Sequence, residues 1–244
     1  MADFRILSVG DSAVTVEFGN SIDPAINAKV HSLRSLVADE NIFGITDMIP
    51  TFHSLLICYD PGHIRFSELR DCIERLAHSG LGGTDSASRT FLIPVCYGGE
   101  FGEDLPYVAE HAGISEREVI LRHSAPDYLI YMLGFLPGFS YLGGMDPSLE
   151  TPRLPQPRQL IPAGSVGIGG RQTGIYPLDS PGGWRLIGRS PVRPYDPGKE
   201  EPILYRAGDK IRFVPIDEKR YRDIETAVAE GVYQCPYLEG GRTK

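Results

Sequence analysis

Residues 134–190 constrain this chain more than any other stretch, because they contain 12 of its 28 glycines and 8 of its 20 prolines. Glycine permits positive φ angles and close backbone approach, whereas proline fixes φ and removes an amide donor. A disordered linker can share this composition, but it would lack the large apolar side chains found here. The stretch therefore predicts an ordered, loop-rich β region. Its aromatic residues include Phe135, Phe139, Tyr141, Tyr176 and the chain's only tryptophan, Trp184.

The positive charge of this stretch comes from arginine alone: it contains five arginines, no lysine and three acidic residues. A guanidinium group binds a carboxylate or phosphate through two parallel hydrogen bonds, so this composition favours an anionic ligand. Arg153 and Arg158 lie in a loop punctuated by prolines and are the candidate anion-binding residues. The alternative is that both are ordinary solvated charges.

The whole chain has the composition of an ordinary soluble globular protein, with 244 residues, 41% of them hydrophobic and 23% charged. Its net charge of −8 argues against a nucleic-acid-binding surface. No apolar run reaches the roughly 18 residues of a membrane helix, and the opening stretch lacks a signal-peptide pattern. The four cysteines have no CxxC spacing, so we expect reduced thiols and a cytoplasmic chain.

Residues 1–85 alternate between short apolar strands and two amphipathic helices, an order typical of a ferredoxin-like sandwich. Asp23 and Pro24 are expected to begin the first helix, as its cap and its first residue. A strand at 90–95 completes the pattern if it belongs to this unit, but it could equally belong to the next one. Residues 79–88, SGLGGTDSAS, are the expected linker.

Residues 90–244 contain many short strands with Gly/Pro turns, which predicts a β-barrel or sandwich. We expect a helix over 105–112, a second one capped by Ser115 and ending near His123, and a last helix capped by Asp217. The first two of these helices have the spacing of a helix-turn-helix motif, but the acidic residues around them argue against DNA binding. A strand is expected over 128–133, and a hairpin between 204–205 and 210–213.

Searches for catalytic motifs exclude several kinds of site. The chain has no P-loop, and it has no G-x-S-x-G motif, so Ser140 is a poor candidate nucleophile. None of the six histidines forms an i, i+4 pair, so no metal site is expected. His123 is the best functional histidine, because it lies at a helix end just before the glycine-rich stretch, where the helix dipole favours its charged form. The alternative is a histidine in the core.

Gln172 and Thr173 lie between glycines, at a turn where a ligand can approach the backbone. A plain hairpin turn is the alternative for this pair. Trp184, after Pro181-Gly182-Gly183, is expected in the core rather than as a ligand platform. Phe139 and Tyr141 could line a pocket or close one end of the barrel.

Several blocks of this region resemble the KipI family, whose members are named as the B subunit of 5-oxoprolinase or as allophanate hydrolase subunit 1. They are GFLPGF, YLGG, PAGSVGIGG, QTGIYPL, SPGGWRLIGR and AGDKIRFVPI. The resemblance runs from about residue 91 to 216 and is weaker in the N-terminal half. One departure is Ser140, where the family usually has proline. The resemblance implies an α+β chain with a ferredoxin-like domain over 1–85 and a cyclophilin-like β-barrel with a C-terminal helix over 90–244.

The resemblance also implies a partner, the KipA-like C subunit, and a third subunit, with which the complex cleaves 5-oxoproline to glutamate using ATP. The pair of this chain and the C subunit also resembles the carboxyltransferase half of urea amidolyases. One family member is known instead as an inhibitor of a sensor histidine kinase, and that role is the alternative. Arginine and polar residues on glycine-shaped loops favour the enzyme subunit, because a kinase-docking module would need an apolar patch.

The predicted site therefore has three candidate catalytic residues, Gln172, Arg158 and His123. In this hypothesis an arginine pair holds the carboxylate of the substrate or the phosphoryl oxygens, and Gln172 and Thr173 supply oriented hydrogen bonds. No metal is expected, and the chain is expected to be inactive alone. The candidate substrate-binding residues are Thr173, Tyr176, Arg153, Phe139 and Tyr141.

Overall fold

The computed structural model describes residues 4–81, 88–239 and 242–243. The chain divides into two compact units, Met1–Ser86 and Ala87–Lys244. The fold is mixed α+β: a small antiparallel sheet in the first unit and a nearly closed, barrel-like sheet in the second. Most of the linker expected at 79–88 lies outside the described residues. Within the described ranges, no helix is both long and apolar enough to cross a membrane.

The first unit contains four strands and two helices. In chain order they are β1 (Arg5–Val9), β2 (Ala13–Glu17), α1 (Pro24–Asp39), β3 (Ile45–Pro50), β4 (Ser54–Tyr59) and α2 (Phe66–His78). Asp23 caps α1, as expected, because its carboxylate accepts the amide hydrogens of Ala25 and Ile26.

The four strands of the first unit pair in the order β1-β2-β4-β3, every neighbour antiparallel. Alternation along the strands buries Val16 and Ile57 in one core with Leu33 of α1 and Ile73 of α2. The helices therefore cover one face of the sheet. The strand at 90–95, whose membership the sequence left open, does not join this sheet and belongs to the second unit.

The second unit begins with β5 (Arg89–Tyr97) and two helices, α3 (Leu105–Ala112) and α4 (Glu116–Ser124). Ten further strands and one helix follow. They are β6 (Tyr128–Leu133), β7 (Ser140–Gly143), β8 (Arg158–Ile161), β9 (Ser165–Gly169), β10 (Gln172–Ile175), β11 (Ser180–Gly182), β12 (Arg185–Arg189), β13 (Lys210–Ile216), α5 (Glu218–Ala229), β14 (Tyr237–Glu239) and β15 (Arg242–Thr243).

Seven strands form the path β10-β9-β12-β5-β13-β6-β7, with β14 paired to β5 and to β15. The two ends of this path approach each other: a Cβ added at Gly174 of β10 would lie 3.2 Å from the carbonyl oxygen of Ser140 in β7. The sheet is thereby nearly closed. Strands β8 and β11 form a separate antiparallel pair.

The helix boundaries of the second unit agree with the sequence. Ser115 caps α4 by accepting the amide hydrogen of Glu118 at 3.2 Å, and α3 ends at Gly113, which has a φ of 68°. Asp217 likewise caps α5. These signals are local, so the sequence alone is sufficient to place them.

The hairpin expected between 204–205 and 210–213 is wrong. Strand β13 pairs in parallel with β5 and antiparallel with β6, whereas residues 204–205 form no strand. Tyr205 is buried, and its hydroxyl donates to the carbonyl oxygen of Gly138 at 2.9 Å. Asp209 holds the turn, because its carboxylate accepts from the amide of Arg206 and binds Arg89 at 2.7 Å.

Candidate functional site

A surface cavity on the second unit, which we call the aromatic pocket, encloses about 460 Å³ including its open mouth. Loops on either side of β7 and β11 and the end of β10 form its walls. Its lining residues are Phe135, Phe139, Tyr141, Arg153, Tyr176, Pro181, Gly182, Gly183 and Trp184. Four of the five residues predicted to bind substrate thus lie in one place: Phe139, Tyr141, Arg153 and Tyr176.

Phe139 is the centre of the pocket's aromatic cluster and is only 3% exposed. Its ring centroid lies 5.3 Å from that of Tyr141, 5.6 Å from Tyr176 and 5.6 Å from Trp184, each in a steeply tilted, edge-on arrangement. Such arrangements are favourable for aromatic quadrupoles and add to the energy of burial. The pocket wall is therefore a packed, preformed surface.

Glycines on the neighbouring strands make room for Trp184. A Cβ at Gly169 would overlap the indole ring, and one at Gly174 would lie 3.2 Å from its Cζ3 atom. Side chains at these positions would displace Trp184, so the glycine-rich sequence of β9 and β10 has a steric cause. Trp184 is 5% exposed, which confirms the prediction that it is a core residue, and it also forms one wall of the pocket.

Arg153 brings the only charged side chain among the residues that line the aromatic pocket. Its guanidinium carbon lies 5.9 Å from the centroid of the Trp184 ring, within the range of a cation–π contact. The side chain is exposed and forms no ion pair with any residue that the structure describes. An exposed guanidinium above an apolar wall can bind a carboxylate or phosphate that enters the pocket.

Phe135 lies at the mouth of the pocket in an unusual backbone conformation. Its φ is +59°, and the amide of Leu136 donates to the carbonyl oxygen of Gly134 at 2.6 Å across it. A positive φ is unfavourable for a bulky residue, and residues in such conformations cluster at functional sites. The turn leaves the Phe135 ring 64% exposed, in edge contact with Phe139 at 5.5 Å.

His123 lies in a buried hydrogen-bond chain within the second unit's core. Its Nδ1 is 2.8 Å from the hydroxyl of Tyr97, and its Nε2 is 2.7 Å from Oγ1 of Thr173. Because the Thr173 hydroxyl donates to the carbonyl oxygen of Gly167 at 3.1 Å, it accepts from His123. Nε2 therefore carries the proton, and Nδ1 accepts from Tyr97.

The charged form expected for His123 is wrong. The side chain is fully buried, and this burial lowers its pKa from 6.5 to about 3. Desolvation outweighs the helix dipole, because no carboxylate faces the ring to compensate the charge among the residues described. His123 is thus neutral at pH 7 and holds Thr173 and Tyr97 in place.

Alternation along β10 separates Gln172 from Thr173. Thr173 points into the barrel with Ile175, whereas Gln172 shares the opposite face with Gly174, on which Trp184 lies. Gln172 is half-buried and does not line the aromatic pocket, but it lies on the pocket's side of the sheet. The catalytic role given to Gln172 and His123, and the substrate contact given to Thr173, stay predictions.

Arg158 binds acidic residues of its own chain. Its Nη2 lies 2.9 Å from Asp104 and 2.9 Å from Glu103, and its Nη1 donates to the carbonyl oxygen of Trp184 at 3.3 Å. Asp104 is buried and also accepts from the amide of Leu186 at 2.7 Å. The loop position expected for Arg158 is wrong, because Arg158 is the first residue of β8. It links β8 to the start of α3 and to Trp184, and its predicted catalytic role has to compete with these contacts.

Sequence reasoning missed two groups that support the site, Asp104 and Tyr97. Asp104 precedes a helix and Tyr97 ends a strand, and these local positions are sufficient to account for the two residue types. Neither residue therefore stood out in the sequence. Their partners lie far along the chain: Asp104 and Arg158 are 54 residues apart, and Tyr97 and His123 are 26 apart. No local signal could have paired them.

Residues 4–205, which include the aromatic pocket, match the family described as carboxyltransferase domain, subdomain C and D. The chain therefore belongs to this class of protein. The 5-oxoprolinase B subunit of Bacillus subtilis (strain 168) is 44% identical over 229 residues, 89% of this chain and 95% of that protein. The protein of the same name from Escherichia coli O157:H7 is 42% identical over 217 residues, 88% of this chain and 97% of that one. The chain therefore belongs to the family of 5-oxoprolinase B subunits, which confirms the resemblance found in its sequence.

A crystal structure of a protein named TTHA0988 has the same fold, with a TM-score of 0.75 and 38% identity over 84% of this chain. This chain spans only 40% of the TTHA0988 chain. A sequence similar to this one thus makes up nearly the whole of the Bacillus subtilis and Escherichia coli proteins, but less than half of the TTHA0988 chain.

Proposed function

We propose that this chain is the B subunit of a 5-oxoprolinase, which opens the lactam ring of 5-oxo-L-proline to give L-glutamate. Three relatives with that name, 42–46% identical to this chain, support the proposal, two of them over nearly their whole length. The observation that carries the site assignment is the exposed guanidinium of Arg153 above an aromatic wall, with no ion pair to any described residue.

The aromatic pocket suits a small ring that carries one carboxylate. The rings of Phe139, Tyr176 and Trp184 offer an apolar wall for the methylene face of the lactam. Arg153 at the mouth binds the carboxylate, and this pairing is strong because both groups are charged and the wall excludes water from one side.

The remaining chemistry requires activation of the lactam carbonyl. When bound to the complex, ATP supplies the phosphoryl group that makes this amide carbon reactive toward water. In this chain, Arg153 fixes the carboxylate end of the ring. Gln172 lies on the pocket's side of the sheet but outside its lining, and its amide is the candidate donor to a carbonyl oxygen at the edge of the pocket. His123 acts through Thr173, by holding β10 in position, because it is buried and neutral.

The proposed complex contains the KipA-like C subunit and a third subunit. This chain has no P-loop, so any nucleotide that it holds within the complex is not bound by that motif. The length of TTHA0988, of which this chain spans 40%, favours such an assembly, because a region fused to this sequence in one protein is a natural partner for it in another.

We also propose finer fold assignments, with domains over 1–85 and 90–244. The first is a ferredoxin-like sandwich in which β1 occupies the edge where the last strand of that fold usually lies, as the order β1-β2-β4-β3 requires. The second is a cyclophilin-like barrel, supported by the nearly closed seven-strand path and its packed interior.

Arg153→Gln tests the site in the assembled complex. Loss of a charged hydrogen bond to the carboxylate costs about 1.5–3 kcal/mol, so KM for 5-oxoproline should rise roughly 10- to 150-fold. Folding should change little, because the side chain is exposed. The matched control is Arg171→Gln, an exposed arginine outside the pocket with only a surface ion pair to Glu150 at 3.6 Å. If both variants keep the wild-type KM, Arg153 does not bind the substrate.

A further inference from the structure

Phe135 lines the aromatic pocket at a cost to both its backbone and its side chain. Its φ of +59° and the hydrogen bond from Leu136 back to Gly134 define a γ-turn of the rare, strained kind. The turn also leaves most of the aromatic ring in water, where an apolar surface is unfavourable. The contact with Phe139 compensates this cost only in part, because the neighbouring Leu136, and not Phe135, packs into the apolar cluster. Such a conformation is typical of a residue that serves binding rather than folding.

Hydrogen bonds fix the loop on either side of Phe135. The amide of Gly134 donates to the carbonyl oxygen of Phe139 at 3.1 Å, which closes the base of the loop. The buried hydroxyl of Tyr205 donates to the carbonyl oxygen of Gly138 at 2.9 Å. The exposed ring is therefore carried by an anchored loop, and a ligand can use it without first ordering the backbone.

An open space separates the rings of Phe135 and Trp184, which both border the pocket. Each ring contacts Phe139, with centroid distances of 5.5 Å for Phe135 and 5.6 Å for Trp184. No ring contact joins Phe135 to Trp184, although the structure describes both residues. A ligand in this space can touch both rings at once.

Arg153 determines which end of such a ligand is charged. Because its guanidinium lies over Trp184, a carboxylate bound there brings the rest of the molecule against the Trp184 wall. The ring of Phe135 is then available to cover the other side of the ligand. A small ring has two broad faces for these contacts, whereas an open-chain acid of the same charge has none.

We propose that Phe135 is a specificity-determining residue of the aromatic pocket, whose ring covers a small ring carboxylate bound against the Trp184 wall. The proposal rests on the function proposed above and deepens it, because it defines the substrate class as ring acids. L-Glutamate, the open-chain product of that reaction, loses the contact with Phe135 when the lactam opens. The same residue therefore favours binding of the substrate and release of the product.

The test uses the fluorescence of Trp184, the chain's only tryptophan, which lies in the pocket wall. The full-length chain is titrated at equal ionic strength with 5-oxo-L-proline, with cyclopentanecarboxylate and with L-glutamate. We expect both ring acids to bind more tightly than L-glutamate. Phe135→Ala should weaken the ring acids roughly tenfold and leave L-glutamate nearly unchanged, because only the ring acids cover the Phe135 side chain.

Two further variants separate binding from folding. Phe135→Gly accepts the positive φ without strain, so its unfolding temperature (Tm) should be at least that of wild type, while its preference for ring acids is lost. Leu160→Ala removes an exposed apolar side chain outside the pocket and should bind all three acids as wild type does. A Tm of Phe135→Gly many degrees below wild type would show that the ring is structural and would overturn the proposal.

The outcomes also distinguish this proposal from the proposed function. If Phe135→Ala keeps the preference for ring acids, the role of Phe135 is wrong, whereas the assignments of Arg153 and of the 5-oxoprolinase stand. If wild type binds cyclopentanecarboxylate but not 5-oxo-L-proline, and Phe135→Ala weakens that binding, the role of Phe135 is supported and the proposed substrate is wrong. The absence of a saturable fluorescence change with either ring acid overturns the role of Phe135.

Discussion

At the scale of single residues, burial decides what a side chain can do. His123 lies at a helix end, where its sequence position favoured the charged form, yet its pKa is lowered to about 3 because the ring is fully buried. The sequence left two interpretations of Arg153, an ordinary solvated charge or a residue that binds an anion. Its position over Trp184, at a pocket, supports the second one. The sequence could suggest these residues but not their burial.

The low pKa of His123 predicts acid sensitivity. The unfolded chain binds a proton on His123 near pH 6.5, whereas the folded chain binds it only near pH 3. The stabilisation from the neutral ring is therefore complete above pH 6.5 and lost as the pH falls toward 3. In that window the free energy of unfolding should fall with an extra slope of up to about 1.4 kcal/mol per pH unit.

Urea denaturation of wild type and His123→Gln across this pH window isolates the effect. The variant should be less stable at pH 7 but should lack the extra slope, whereas His111→Gln, at an exposed histidine, should keep it. Equal slopes in all three proteins would show that His123 is not buried in its neutral form.

At the scale of elements, local sequence signals were sufficient to predict the helix caps and one strand. The pairing of strands that are distant in the sequence could not be predicted. The caps at Asp23, Ser115 and Asp217 and the strand at 128–133 could be predicted, because each depends on neighbouring residues. The hairpin at 204–213 could not, because β13 takes its partners from β5 and β6. The contact between Arg158 and Asp104 was missed for the same reason.

Arg158→Ala should therefore destabilise the fold, contrary to what the loop position expected from the sequence suggests. The change leaves the buried Asp104 with the amide of Leu186 and with Arg185, 3.6 Å away. Loss of a charged hydrogen bond at a buried carboxylate should lower the free energy of unfolding by about 1.5–3 kcal/mol.

Denaturant unfolding of Arg158→Ala can be compared with Arg171→Ala, whose ion pair is exposed and should change stability by less than about 0.5 kcal/mol. If the two variants are equally stable, the contact of Arg158 with Asp104 does not stabilise the fold, and a direct role in catalysis gains support.

At the scale of the whole molecule, the sequence indicated two parts, and the structure divides the chain into compact units at residues 86 and 87. The aromatic pocket belongs to the second unit. The glycine-rich stretch forms much of the pocket, as its composition suggested, but only packing could show which aromatic rings meet there.

Limited proteolysis should cut first within 79–88, because Gly/Ser segments between packed units expose backbone to proteases. Mass spectrometry should then find fragments of about 1–80 and 90–244. A first cut within 166–188 would contradict the ordered structure of the barrel.

The central claim is that this chain is a required component of a 5-oxoprolinase. Its most direct test is ATP-dependent release of glutamate from 5-oxoproline, measured with the purified C subunit, the third subunit and this chain, and again with each omitted in turn. We expect turnover from the full set and none from this chain alone. Full turnover without this chain, or turnover by this chain alone, would contradict the account.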